Sequence, residues 1–107
     1  MSRIYIQNIQ KLVEIRKILN DALYPGHSLV TYDLILIILE AYLDGKSLTI
    51  KDVCTSSNRS LLNTRKHLNL LLDYDWIDCS IGIHDKRLRL ISASSKLIML
   101  VEKIIDN

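Results

Sequence analysis

Between Ser56 and Leu72 the chain has no acidic residue, yet Arg59, Arg65 and Lys66 all fall inside this stretch. The stretch opens polar, with Ser57, Asn58, Ser60 and Asn63, and closes on Leu68, Leu70 and Leu71. Such a run suits a helix that is solvated and basic at its start and anchored in a core at its end. Thr49 precedes it as a helix-capping residue, and two segments of alternating polarity follow it. Residues 49–89 therefore read as a short helix, a turn, a second helix and a β-hairpin with a basic tip. Few folds accommodate that order, and the rest of the chain has to cover its apolar side.

Residues 4–23 read as an amphipathic helix, with Ile9, Leu12, Val13, Ile15, Ile18, Leu19 and Leu23 at spacings of three and four. Tyr24-Pro25-Gly26 ends it, because proline cannot continue helical hydrogen bonding and glycine accepts the turn. Ser28 or Thr31 caps the next helix, which runs to about Leu43. Residues 34–39 are six consecutive Leu and Ile, which predicts burial on every side. A buried strand is the competing reading of this run, but the apolar pattern continues to Gly45, longer than a typical strand. Asp44-Gly45-Lys46 is a turn, and Leu48 is a candidate stub of strand. Thr49 caps a short helix from Ile50 to about Ser56, with Asp52 near its positive end.

The second helix of the pair runs from near Ser60 to about Tyr74. A helical wheel places Leu61, Thr64, Leu68, Leu71 and Leu72 inward and Asn63, Lys66 and Leu70 outward. Leu62 and Leu70 both come out exposed, without an assigned partner. Trp76-Ile77-Asp78-Cys79-Ser80 alternates as a strand does, and residues 82–86 form a tip. Arg87-Leu88-Arg89-Leu90-Ile91 alternates again, basic on one face and apolar on the other. Ser94 caps a last helix whose stripe is Leu97, Ile98, Leu100, Val101, Ile104 and Ile105.

The expected fold is mainly α with a small β-hairpin wing. It is a winged helix-turn-helix in which four helices precede two strands and a final helix. A length of 107 residues predicts one domain. Within it, 1–24 is a dimerisation helix, 28–92 the helix-turn-helix plus wing, and 93–107 the C-terminal helix. A core this small gains from pairing with a second copy. Two apolar stripes at the chain ends, 4–23 and 97–105, suit a homodimer interface. The alternative is that the first helix folds back on its own core.

The net charge of +2 is modest for a nucleic-acid binder, so distribution matters more than total. Residues 49–92 carry seven basic side chains against five acidic ones, and Asp73, Asp75 and Asp78 sit together at one end. No apolar run is long enough to span a bilayer. Together with the two distant cysteines, Cys54 and Cys79, this predicts a soluble cytoplasmic protein with reduced thiols and no membrane partner.

An enzyme is not expected. The chain has no glycine-rich phosphate loop, no paired carboxylates and no nucleophile–base signature. No cofactor is expected, and no metal, because only Cys79 and His84 have ligand-like spacing.

In this order, residues 31–97 resemble the winged-helix domain of the MarR family of bacterial transcriptional regulators. The resemblance is carried by Leu48-Thr49-Ile50-Lys51-Asp52-Val53 at the first helix of the pair and Ser56-Ser57-Asn58-Arg59-Ser60 before the second. It continues in Leu71-Leu72-Asp73-Tyr74-Asp75-Trp76-Ile77 at the helix exit, Asp85-Lys86-Arg87 in the wing and Ser94-Ser95-Lys96-Leu97. Asp75 and Leu97 stand where the family has glycine. The tip His84-Asp85-Lys86-Arg87 is also similar to the staphylococcal accessory-regulator branch. The resemblance implies that Asn58, Arg59, Ser60, Asn63 and Lys66 line a DNA major groove. It also implies that Arg87 enters the minor groove, with Asp85 supporting the wing. Lys86 and Arg89 are candidate phosphate contacts, and Arg65, beside the buried stripe and able to snorkel outward, is a further candidate DNA contact.

The expected function is therefore sequence-specific double-stranded DNA binding by a homodimeric transcriptional regulator. The alternative is a winged-helix protein–protein interaction module without DNA binding, since one fold hosts both uses. Asp73, Asp75, Asp78, Leu62 and Leu70 are the features that favour it.

Overall fold

The computed structural model describes residues 2–23 and 25–106, with side chains described to Ile104. Tyr24 of the predicted helix stop and the Ile105 side chain of the last apolar stripe lie outside the described residues. The elements are α1 (Arg3–Ala22), α2 (Leu29–Leu43), β1 (Leu48–Thr49), α3 (Ile50–Ser57), α4 (Leu61–Asp73), β2 (Ile77–Ile81), β3 (Arg89–Ala93) and α5 (Ser95–Asp106). Five helices and a three-stranded antiparallel sheet make a winged helix-turn-helix, with strand order β1-β3-β2. The candidate stub at Leu48 is a strand, pairing Leu48 with Ile91, while Cys79 faces Ile91 from the other side.

Local chemistry sets the element starts. The Thr49 hydroxyl accepts from the Asp52 backbone N–H at 3.1 Å, and the Asp52 carboxylate accepts from the Thr49 N–H at 3.0 Å. This reciprocal pairing satisfies two donors that the helix itself leaves open. Ser60 Oγ accepts from the Asn63 N–H at 3.2 Å and starts α4. Ser94 Oγ accepts from the Leu97 N–H at 3.2 Å and donates to the Asp75 carbonyl at 2.7 Å, joining the start of α5 to the α4–β2 turn.

The core gathers Leu34, Ile35 and Ile38 of α2, Val53 of α3, Leu68 and Leu71 of α4, and Leu97 of α5. Ile77 and Ile91 close it from the sheet, and Trp76 is buried beside them, with Lys96 Nζ 4.1 Å from its ring centroid. Contrary to the burial on every side that its sequence predicts, α2 leaves Leu36 exposed, together with Leu29 and Leu43 at its ends. These three leucines recur every seven residues, so they share the one side of α2 that this chain leaves open.

α1 has no buried residue. Leu19 and Ala22 touch the core and Leu23 just beyond them is buried, but Ile4, Ile6, Ile9, Leu12 and Val13 stand exposed. The first helix thus packs on the core through its C-terminal end. Lys11 Nζ donates to the Ile104 carbonyl at 2.8 Å, linking α1 to α5. Between α1, α2 and α5 lies an apolar cavity of about 660 Å³, lined by Leu12, Leu19, Leu36 and Ile104 among others.

The hairpin also departs from expectation. β3 begins at Arg89, so Arg87 and Leu88 belong to a tip of residues 82–88, not to a strand. The cause is local bonding: the Leu88 N–H donates to the Asp85 carbonyl at 3.1 Å and the Gly82 N–H donates to the Leu88 carbonyl at 3.1 Å. The Arg87 N–H turns to the Asp85 carboxylate at 3.0 Å. The two bonds to Asp85 take up N–H groups of Arg87 and Leu88 that a ladder would otherwise pair, while the Gly82–Leu88 bond still spans the hairpin.

Candidate nucleic-acid interface

α4 buries Thr64, Leu68 and Leu71, so at 100° per residue its opposite ridge runs through Leu62, Lys66, Asn69 and Asp73, with Arg65 beside it. All five are exposed. The wheel misplaces two leucines. Leu70 is half-buried and packs against the core, while Leu61 is exposed. Cover is uneven along the helix: its last two turns carry Leu68, Leu70, Leu71 and Leu72 into the core, while its first turn buries Thr64 and leaves Leu61 and Leu62 exposed.

The residues before α4 do different jobs. Asn58 ends α3 in the left-handed region, with φ 55° and ψ 42°, a conformation that asparagine tolerates better than most residues. This bend separates the two helices and leaves Asn58 exposed. Arg59 is not part of α4. Its Nη1 pairs with the Asp33 carboxylate of α2, and the side chain is only half exposed. Ser60 is the cap, and Asn63 is half-buried in the first turn.

His67 sits one step round from the ridge, half-buried. Burial lowers its pKa from the ordinary value of 6.5, and the charges of Lys66 and Arg59 lower it further. Its Nδ1 is sealed from solvent and has no hydrogen-bond partner among the described residues. A protonated ring would bury an N–H without an acceptor, so the neutral ring is favoured there.

The wing presents Lys86, Arg87 and Arg89, all exposed, with the Arg87 side chain 93% accessible. Arg87 Nε lies 3.4 Å from the Asp85 carboxylate, and Arg89 Nη1 donates to the Lys86 carbonyl at 3.4 Å. Gly82 is buried under the tip. A Cβ there would lie 2.8 Å from the Asp85 carbonyl oxygen, so glycine is required for this close approach.

Of the candidate residues, Asn58, Ser60, Arg65, Lys66, Lys86, Arg87 and Arg89 are exposed, Asn63 and Asp85 are half-buried, and Arg59 is engaged with Asp33. The sequence marks Leu62 on the ridge as exposed but gives it no DNA role, and Asn69 beside it is not singled out. Sequence reading also missed Lys51 and Thr55, which line a polar recess of about 540 Å³ beside β1. The four-residue spacing of Lys51 and Thr55 on a capped helix is the signal that points to them. Asp33 was legible too, as a lone carboxylate in the first half of an apolar helix, which calls for a partner.

Neither a protein-family model nor a curated protein matches the sequence. Solved structures do match. MepR of S. aureus in complex with DNA has 17% sequence identity and a TM-score of 0.70, covering 98% of this chain and 84% of that one. The regulator Tm0710 of Thermotoga maritima has 16% identity and a TM-score of 0.72, covering 96% and 68%. A mutant MarR of E. coli complexed with operator DNA has 16% identity and a TM-score of 0.66, covering 94% and 67%. At these identities the likeness is one of fold, and the fold is MarR-like.

Proposed function

We propose that this chain, with its MarR-like winged-helix fold, binds double-stranded DNA as a homodimer and regulates transcription without enzymatic chemistry. The observation that carries the reading is the α4 ridge, where exposed Arg65 and Lys66 stand without an acidic neighbour until Asp73, in a chain whose wing also presents Lys86, Arg87 and Arg89. A recognition helix offers its first turns to base edges while cations on neighbouring elements grip phosphate. The solved DNA complexes of MepR and MarR lend support, because proteins of this fold bind DNA.

The exposure of these side chains supports the following roles. Lys66, with Asn58 and Asn63, faces the major groove, and Ser60 sets the helix start. Arg65, Lys51, Lys86 and Arg89 hold phosphate. Arg87 enters the minor groove, where negative potential is greatest when the groove is narrow. Asp85 fixes the turn that projects it. Arg59 acts through Asp33, positioning the start of α4 against α2.

Dimerisation rests on the unburied α1. The N-terminal half of this helix, the α2 stripe and the flank of α5 expose Ile9, Leu12, Leu36 and Met99. Covering them with a second copy removes apolar surface from water, at roughly 25 cal/mol per Å². The twofold pair would hold two recognition helices about one DNA turn apart. Among the described residues no helix is long and apolar enough to cross a membrane.

A protein-interaction role is the second reading, favoured by the exposed Asp73, Asp75 and Asp78 at the α4–β2 junction. Fluorescence anisotropy on a mixed-sequence duplex at low salt separates the two. The DNA reading expects binding that Lys66→Ala weakens; absence of binding by the wild type would leave the second reading.

A further inference from the structure

Leu62 occupies the second position of α4 and is 83% exposed. It lies on the outward ridge with Lys66 and Asn69, one turn before Lys66. Neither the core nor any described side chain covers it. A leucine this exposed buries little apolar area on folding, and the ridge around it is otherwise polar. Exposed cations on α4, Arg65 and Lys66, and on the wing, Lys86, Arg87 and Arg89, favour a polyanion as the occupant of this ridge. A polyanion also has to offer an apolar group to Leu62.

The DNA major groove offers one such group at its base edges, the thymine 5-methyl. We infer that Leu62 is a specificity-determining residue that packs on a thymine methyl in the major groove and makes the chain prefer A·T pairs at that position. This inference rests on the DNA-binding reading above. Leu61, half-exposed beside it, widens the apolar contact. Lys66 and Asn69 meet polar edges further along the same ridge. Leu62 thus supplies discrimination by apolar contact, whereas Lys66 and Arg65 supply charge.

The test uses two 30-base-pair duplexes, alternating dA-dT and alternating dA-dU, which carry the same charge and differ at each pyrimidine by the methyl. Wild type is expected to bind the thymine duplex more tightly, by about fourfold for each methyl buried. Leu62→Ala is expected to bring the two affinities together while leaving the salt dependence unchanged. Its fold is expected to survive, since alanine favours helix and the replaced side chain is exposed. Arg87→Ala is expected to weaken both duplexes and keep their ratio. Equal wild-type affinities for the two duplexes, or a ratio that persists in Leu62→Ala, would overturn the inference without touching DNA binding. Loss of wild-type binding to both duplexes at low salt would instead overturn DNA binding itself, and the inference with it.

Discussion

The Arg59 guanidinium pairs with the Asp33 carboxylate, 26 positions earlier in the chain. The pair ties the residue just ahead of the Ser60 cap of α4 to α2. It also withdraws from solvent a cation that the sequence offers to DNA. Asp33→Asn breaks the ion pair and keeps the shape. It is expected to cost about 0.5 kcal/mol of stability, because both partners stay partly solvated. It is also expected to lower affinity for a mixed-sequence duplex severalfold, by loosening the start of α4 against α2. Thermal denaturation and anisotropy on one preparation check both effects.

Asp75 has φ 63°, where the resemblance places glycine. The turn it makes is fixed, because its N–H donates to the Leu72 carbonyl and its own carbonyl accepts from Ser94. Asp75→Gly is expected to leave stability unchanged or to raise it slightly. Asp75→Val is expected to lower it by about 1–2 kcal/mol, since a β-branched residue resists the left-handed region. Denaturant midpoints of the two variants report the difference.

His67 makes stability depend on pH. Its folded-state pKa lies below the unfolded value of 6.5, first through burial and then through Lys66 and Arg59. The unfolded chain therefore binds a proton more readily than the folded one. The stability tied to the neutral ring is present above the unfolded value and is lost as pH falls from there through the folded value. Melting temperatures between pH 7.5 and 5 are expected to drop more steeply in wild type than in His67→Leu.

Gly82 lies under the wing tip against the Asp85 carbonyl. Gly82→Ala is expected to displace the tip, at a cost of about 1 kcal/mol or more. The core is remote from this change. The expected signature is weaker duplex binding with little loss of helical circular dichroism.

The exposed half of α1 and the open side of α2 predict self-association. Wild type is expected to sediment as a dimer, and the double variant Leu12→Glu with Leu36→Glu as a monomer of unchanged helix content. A wild-type monomer at high micromolar concentration would remove the dimer from the account.

Capping chemistry is short-range, and for that reason the starts of α3, α4 and α5 at Thr49, Ser60 and Ser94 were legible in the sequence. Periodicity was legible where cover is uniform, as in Leu68 and Leu71. It misled at Leu61, Leu70 and Leu36, because a wheel treats each turn of a helix as equally covered. Alternation misled at Arg87 and Leu88, where the Asp85 carboxylate and carbonyl capture backbone N–H groups that strand pairing would use. The engagement of Arg59 by Asp33 depends on tertiary approach, which no local pattern encodes. The exposed cations of the ridge and wing were legible from charge placement alone. Leu62 was visible as an anomaly, and only the burial of Leu70 beside the core set it apart.

The most direct test of DNA binding through α4 and the wing is the salt dependence of duplex affinity, for wild type and for Lys66→Ala combined with Arg87→Ala. Log affinity is expected to fall linearly with log salt, with a slope of roughly 0.9 for each phosphate neutralised. The double variant is expected to bind more weakly, and with a shallower slope wherever a lost cation neutralised a phosphate. Affinity and slope both unchanged in the double variant, or no wild-type binding at low salt, would contradict the account.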